Sequence, residues 1–271
     1  MKTLRNHIIL YDEECPLCKV YTRGFVKAGM LDDDGRQPYQ QVPAACCPLV
    51  DRQRAANEIA LVNTETGEVS YGIDSLFSVI GHSFPVFAPL FRWKPFRWLA
   101  RKSYAFISYN RRVIIPADTR RQSNSVQPQF KLSYRIAYLI VTWLITSFIL
   151  SRYSHSLTPL LHPGAWYREW LVCAGQIPFQ ALVLRYIDRT KTWQYLGNMM
   201  TISLAGALML IPLQAIGNLL HAPAAFFAGS FLLVAALMLL EHIRRCRLLQ
   251  IDGRLSLSWV LYRVVLLFII V

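Results

Sequence analysis

The second half of the chain is dominated by long stretches of apolar residues. Five such stretches follow Lys131, and each approaches the roughly 20 residues that a helix needs to cross the hydrocarbon core of a bilayer. They cover residues 134–150, 167–187, 195–217, 223–243 and 255–271. The pattern therefore predicts an all-α transmembrane helix bundle of about five spans over residues 132–271.

The first 83 residues carry shorter patterns, which are typical of a small α/β domain. The predicted strands are Ile8–Tyr11, 38–42, 58–62 and 68–71, the last two forming a hairpin around a turn-rich loop. The predicted helices are 16–28, ended by Gly29, and 74–80, ended by Gly81. The N-terminal domain core is thus expected over residues 1–83.

Charge is distributed unevenly between these regions. The 271 residues carry a formal net charge of +13, although 54% of them are hydrophobic. This combination excludes a disordered chain and argues against an ordinary soluble domain. The net charge is −3 over residues 1–83, +9 over 84–131 and +7 over 132–271. The excess of basic residues therefore lies outside the predicted α/β domain.

Residues 84–131 form a basic, aromatic connector between the two regions. Aromatic rings among Lys and Arg are typical of proteins that bind single-stranded nucleic acid. The same mixture suits a segment that lies in the membrane interface on anionic lipid. The first few rings would alternatively complete the core of the small domain. Because membrane spans follow closely, we predict an interfacial connector, with the lipid bilayer and no nucleic acid among the partners.

The basic residues between the spans predict the orientation in the membrane. Counted from residue 111 onward, alternate connections hold six, three and four Lys or Arg, whereas the others hold one, none and none. By the positive-inside rule the N-terminal domain faces the cytoplasm and the C-terminus lies outside. Because Met1–Tyr11 holds only a four-residue apolar run, we expect no secretory signal there. The prediction is a multi-pass protein of the cell (inner) membrane.

A Cys-x-x-Cys motif, Y-D-E-E-C-P-L-C over residues 11–18, marks the junction of the first strand and the first helix. Cys15 would begin the helix, where free backbone N–H groups and the helix dipole favour a thiolate, the nucleophile of disulfide exchange. Pro16 suits the first helical position because its missing N–H is not needed there. Cys18 falls on the same helical face, within reach to form or resolve a disulfide.

Acidic residues precede both cysteines. Asp12, at the end of the strand, is predicted to accept or relay the proton of the Cys18 thiol. Glu13 and Glu14 add negative charge, which disfavours a thiolate. We therefore expect a moderately activated dithiol, with a pKa for Cys15 that is not below about 5.

Other interpretations of the cysteines remain open. Cys46 and Cys47 would have to complete a four-cysteine zinc site, but adjacent side chains do not easily converge on one tetrahedral ion. They would alternatively form a second redox relay or have no role. We predict no metal. The alternative function is a non-enzymatic membrane module, for metal binding, transport or assembly, in which Cys15 and Cys18 act as ligands.

Three motifs in order carry a resemblance to a known family. They are Asp12-x-x-Cys15-x-x-Cys18, Gly72-Ile73-Asp74 opening a helix, and Y-A-F-I-S-Y-N-R over residues 104–111. The set is similar to the DCC family of thiol-disulfide oxidoreductases, and the resemblance covers about residues 6–115. It implies a thioredoxin-like fold in which Cys15 attacks, Cys18 resolves and Asp12 assists.

The resemblance also implies the chemistry. The redox centre would be a Cys15–Cys18 disulfide, with no other cofactor. The predicted enzyme is a membrane-anchored thiol-disulfide oxidoreductase that reduces the disulfide of a protein or a small molecule. A cytoplasmic thiol would serve as its reductant.

Polar side chains also fall within the predicted spans, where contact with lipid is costly. They are Gln176, Gln180, Asn198, Gln214, Asn218, His221 and Glu241. Such groups commonly hold membrane helices together. A site for a quinone or another small substrate is the alternative.

Overall fold

A computed structural model of the chain describes residues 2–42, 50–117, 126–158, 160 and 165–270. They divide into two units, Met1–Tyr134 and Arg135–Val271. The described part of the connector therefore belongs to the same unit as the predicted α/β domain.

A four-stranded sheet organises the first unit. Its strands are β1 (His7–Tyr11), β2 (Arg36–Pro38), β3 (Ala60–Asn63) and β4 (Val69–Tyr71), in the spatial order β2-β1-β3-β4. β1 pairs in parallel with β2 and antiparallel with β3, which forms the predicted hairpin with β4. β2 lies two residues earlier than predicted and ends at Pro38, after which the chain enters a 3-10 turn. Proline has no N–H to donate to the ladder, so it closes this short edge strand.

In the described part of the first unit, five α-helices accompany the sheet. They are α1 (Pro16–Lys27), α2 (Arg52–Asn57), α3 (Ile73–Ser83), α4 (Ala88–Arg92) and α5 (Lys94–Ile114). α1 ends as predicted, with Gly29 at a φ of 66°, a left-handed conformation that glycine adopts without strain. The prediction that Gly81 ends α3 is wrong, because the helix continues to Ser83. The residue before a proline is disfavoured in helical conformation, and Phe84 precedes Pro85.

α5 completes the core of the first unit. The ring of Tyr104 packs against the apolar cluster that contains Ile9 and Ile59, and its hydroxyl accepts a hydrogen bond from the Ile59 N–H at 3.1 Å. The side chain of Trp98, by contrast, is 63% exposed. One part of the aromatic connector therefore contributes to the core of the first unit. The predicted contact of the connector with lipid stays a prediction.

Gly72 joins β4 to α3 at a φ of 63°. A side chain there would clash with the Glu58 carboxylate and press on the Tyr104 ring. The positive φ requires glycine at this position. Gly72 of the second motif is thus explained by its backbone conformation, whereas Asp74 of the same motif forms ion pairs with Arg97 and Arg101 of α5.

The second unit is built from long apolar helices. They are α6 (Leu132–Ser154), which starts at the end of the first unit, α7 (Arg168–Ile187), α8 (Thr192–Leu219), α9 (Ala224–Leu248) and α10 (Arg254–Ile270). Within the described residues, α6 to α9 are long and apolar enough to cross a membrane. α10 covers the fifth predicted stretch with only 17 residues, so the described residues support four of the roughly five predicted spans. The orientation of the chain in the membrane stays a prediction.

Candidate dithiol site

Cys15 is placed by the turn between β1 and α1. Its N–H donates to the carbonyl of Asp12 at 3.1 Å, and its backbone is extended, with φ −94° and ψ 109°. It is the N-cap of α1, with Pro16 at the first helical position, and its Sγ accepts a hydrogen bond from the Cys18 N–H at 3.5 Å. A sulfur thus occupies the place where a hydroxyl or carboxylate usually caps a helix, and free N–H groups there favour its anionic form.

Both thiols are covered in this structure. Cys15 is 0% exposed and Cys18 is 2% exposed, and they pack with Tyr11, Leu17 and Tyr21. Both are free thiols. The Tyr21 hydroxyl donates to Cys18 Sγ at 3.8 Å. The dithiol therefore lies inside the unit.

The two cysteines differ in acidity. A hydrogen bond from the Cys18 thiol lowers the pKa of Cys15 from 9.0 to about 7; burial opposes this change and the Arg111 guanidinium supports it. The same hydrogen bond, followed by burial, raises the pKa of Cys18. A pKa of about 7 for Cys15 agrees with the expected moderate activation. Cys15 is the better nucleophile, and Cys18 retains its proton.

Asp12 lies at the predicted place but is fully engaged elsewhere. Its Oδ1 accepts from the Glu14 N–H and from Gln40 Nε2, both at 3.0 Å. Its Oδ2 accepts from Nη2 of Arg111 at 2.8 Å and of Arg112 at 3.3 Å. Among the described residues, no hydrogen bond joins the Asp12 side chain to either cysteine. This geometry favours a positioning role for Asp12 over the predicted transfer of the Cys18 proton.

Arg111 is the central cation of the site and is only 3% exposed. Besides Asp12, its guanidinium donates to the carbonyls of Ala56 at 2.6 Å and Asn57 at 3.0 Å. Burial opposes its charge, but the neighbouring Cys18, Cys15 and Asp12 outweigh burial and raise the pKa of Arg111. A cation held by its own partners beside the thiols stabilises a thiolate on Cys15.

Glu13 and Glu14 have partners of different kinds. Arg112 pairs with Glu14 at 3.2 Å, and the Glu13 carboxylate accepts from the neutral Gln41 Nε2 at 3.3 Å. The buried carboxylate of Asp12 opposes a thiolate on Cys15. The expected effect of Glu13 and Glu14 on the thiols stays a prediction.

Sequence reasoning assigned no role to Arg111, Arg112 or Gln40. Arg111 is the last residue of the third motif of the resemblance, and this was the one available signal for it. Cys46 and Cys47 lie outside the described residues, so their predicted alternatives are not addressed. Across the described parts of the chain, no cluster of three or more His, Cys, Asp or Glu is arranged to hold a metal ion.

Comparisons of the chain with known protein families, with curated proteins and with solved structures gave no match.

Proposed function

We propose that this chain is a membrane-anchored thiol-disulfide oxidoreductase whose redox centre is the Cys15–Cys18 pair. The observation that carries the proposal is the position of Cys15 at the N-cap of α1, with its sulfur hydrogen-bonded to the Cys18 N–H at 3.5 Å. The lowered pKa of Cys15 beside a protonated Cys18 supports an attacking and a resolving role, respectively.

A thioredoxin-like fold is part of this proposal. It is supported by the parallel β1-α1-β2 unit, followed by the antiparallel hairpin β3-β4 and α3 in the same sheet. The dithiol stands between β1 and α1, at the end of a central strand. We further propose that this unit faces the cytoplasm, where thiol reductants are abundant.

The reaction balances as two exchanges. The Cys15 thiolate attacks a substrate disulfide, so that a Cys15–substrate bond forms, the substrate S–S bond breaks and one substrate thiolate leaves. Cys18 then gives its proton to that thiolate or to water and attacks Cys15 Sγ, which releases the second substrate sulfur. The substrate gains two electrons, and the protein keeps a Cys15–Cys18 disulfide. Two cytoplasmic thiols reverse this oxidation by the same exchange.

Access to Cys15 constrains the substrate. Its sulfur is fully covered, and an attacking sulfur must approach a disulfide directly. The first exchange therefore requires local opening around Tyr11, Leu17 and Tyr21, which cover the pair. A small disulfide needs a smaller opening than a protein disulfide does.

Trapping of mixed disulfides tests the assignment of roles. In the full chain in membranes, Cys18→Ser should accumulate covalent adducts because Cys15 attacks and nothing resolves the intermediate. Cys15→Ser should accumulate none, and Cys246→Ser, a buried thiol of the second unit, should behave as the unmodified chain. Equal trapping by the Cys15 and Cys18 variants would refute the proposal. Stoichiometric zinc that is lost in the double Cys15/Cys18 variant would support the metal-binding alternative instead.

A further inference from the structure

Among the described residues, the helical unit contains a half-buried cation, Arg263, that has no anionic partner. Arg263 is the only charged residue between Leu255 and Ile270 in α10. It lies nine residues after Arg254, about 14 Å along the helix axis. A charge within an apolar helix bundle is costly unless something compensates it.

The protein compensates Arg263 only in part. Its Nη2 donates to Gln176 Oε1 of α7 at 3.1 Å, and its Cζ lies 3.9 Å from the centre of the Trp259 ring. Neither contact supplies a negative charge. Among the described residues, no carboxylate lies within ion-pair distance of Arg263.

The acidic residues of the second unit are engaged elsewhere. Their ion pairs are Glu169 with Arg168, Asp188 with Lys191, Glu241 with Arg244 and Arg245, and Asp252 with Arg254. These four are the only Asp and Glu residues after residue 134. Among the described residues of this unit, no carboxylate side chain is therefore left to balance Arg263.

Among the described residues, four donor atoms on the side chains of α7 and α10 lack partners. They are Arg263 Nε, Gln176 Nε2, Gln180 Nε2 and Trp259 Nε1, and the last three belong to side chains that are more than nine-tenths buried. The Gln180 carbonyl is fully used, since it accepts from Tyr195 and Ser258. Buried donors without partners are costly. A ligand that satisfies them must offer acceptor oxygens.

We propose that Arg263, Gln176 and Trp259 form a binding site for the oxyanion group, carboxylate or phosphate, of a small molecule. The guanidinium supplies the charge and a planar fork that matches two oxygens of one group. The Gln176 amide and the Trp259 N–H supply additional neutral donors. A neutral acceptor would satisfy the donors but leave the cation uncompensated.

Binding to the full chain in detergent micelles tests the site. Benzoate serves as the carboxylate probe, inorganic phosphate as the phosphate probe and ubiquinone-1 as a neutral oxygen acceptor. Ionic strength is held constant with chloride, and binding is measured by calorimetry and by the shift of the unfolding temperature. Saturable binding of benzoate or phosphate is expected, and the probe that binds identifies the type of oxyanion.

Matched variants locate the binding. Arg263→Gln should weaken the affinity by about tenfold to a hundredfold, the usual effect of losing a charged hydrogen-bond partner. Arg247→Gln, at an exposed position of α9, should leave it unchanged. Should Arg263→Gln fail to fold, Gln176→Leu, which keeps the cation, should still weaken binding several-fold. Absence of saturable oxyanion binding, equal binding by the position-263 variant, or binding of ubiquinone-1 alone would each overturn the proposal.

Discussion

Two arginines, the buried Arg111 of the first unit and the half-buried Arg263 of the second, have opposite surroundings. Arg111 faces a carboxylate and two backbone carbonyls, all from the first unit. Arg263 has one amide oxygen and one aromatic ring. The protein therefore completes the electrostatics of the first site with its own groups, whereas it leaves the second with a surplus of donors. In our proposals, the first arrangement serves the resident thiols and the second serves a ligand.

The largest loss of stability is expected when the paired cation, Arg111, is removed. Arg111→Met leaves Asp12 buried with Arg112 as its remaining cationic partner and removes the Arg111 donor from the Ala56 and Asn57 carbonyls, of which Asn57 still accepts from Ser108. Breaking a buried pair in this way costs about 3 kcal/mol or more. Hydrogen exchange of the β1 amides in the full chain should report this loss of stability. Unchanged protection would mean that Arg111 is not part of the structure that holds the site.

Titration of Cys15 tests whether Arg111 acts on the thiols, because the Arg111 guanidinium is one cause of the lowered pKa of Cys15. The ultraviolet absorbance of thiolate should rise with pH with a midpoint near the pKa of about 7, and Cys15→Ser should abolish this step. Since the pKa is lowered from 9.0 in the folded state, ionisation of Cys15 stabilises the fold. That contribution is complete above about pH 9 and is lost as the pH falls through about 7. A midpoint near 9 would show that the site does not activate the thiol.

A smaller effect, a shift in the pKa of Cys15, is expected from Asp12→Asn. The carboxylate opposes the Cys15 thiolate, while Ala56 and Asn57 still hold Arg111 in place. The midpoint should therefore move to lower pH, by up to about one unit. Glu13→Gln, on the same turn, serves as the control and should not move it. A slower release of mixed disulfide with an unchanged midpoint would indicate that Asp12 relays the Cys18 proton instead.

The smallest change in stability is expected when the unpaired cation, Arg263, is removed. Arg263→Met removes a charge that no carboxylate of the second unit compensates. Without added oxyanion, the free energy of unfolding should therefore stay the same or rise by about 1 kcal/mol. Thermal unfolding in micelles with chloride as the only anion measures this. A loss as large as that of Arg111→Met would remove the contrast between the two arginines.

Local patterns predicted most elements of the first unit. The strand before Asp12, the helix that begins at Pro16 and the hairpin are encoded by nearby residues, and they place Cys15 at a helix end. The end of α3 was predicted wrongly at Gly81. Pro85, two residues beyond the last helical residue, sets the end of this helix. The weak strand near Pro38 was shifted for a related reason, since proline ends its pairing.

The electrostatics of the dithiol site could not be predicted in the same way. Arg111 stands 99 residues after Asp12 in the chain, and their pairing depends on how α5 packs against the sheet. Sequence proximity likewise does not reveal that Glu14 is paired with Arg112. The polar residues of the spans were recognised, but only packing shows that Gln176 meets Arg263.

The unequal acidity of the two thiols also determines how many protons accompany the two electrons of the proposed reaction. Below about pH 7, reduction of the Cys15–Cys18 disulfide takes up two protons, and its potential should fall by about 59 mV per pH unit. Above this pH Cys15 remains a thiolate while Cys18 is still protonated, so one proton suffices and the slope halves to about 30 mV per pH unit. Across neutral pH, the N-cap sulfur thus makes the reducing power of the domain less sensitive to the acidity of its surroundings.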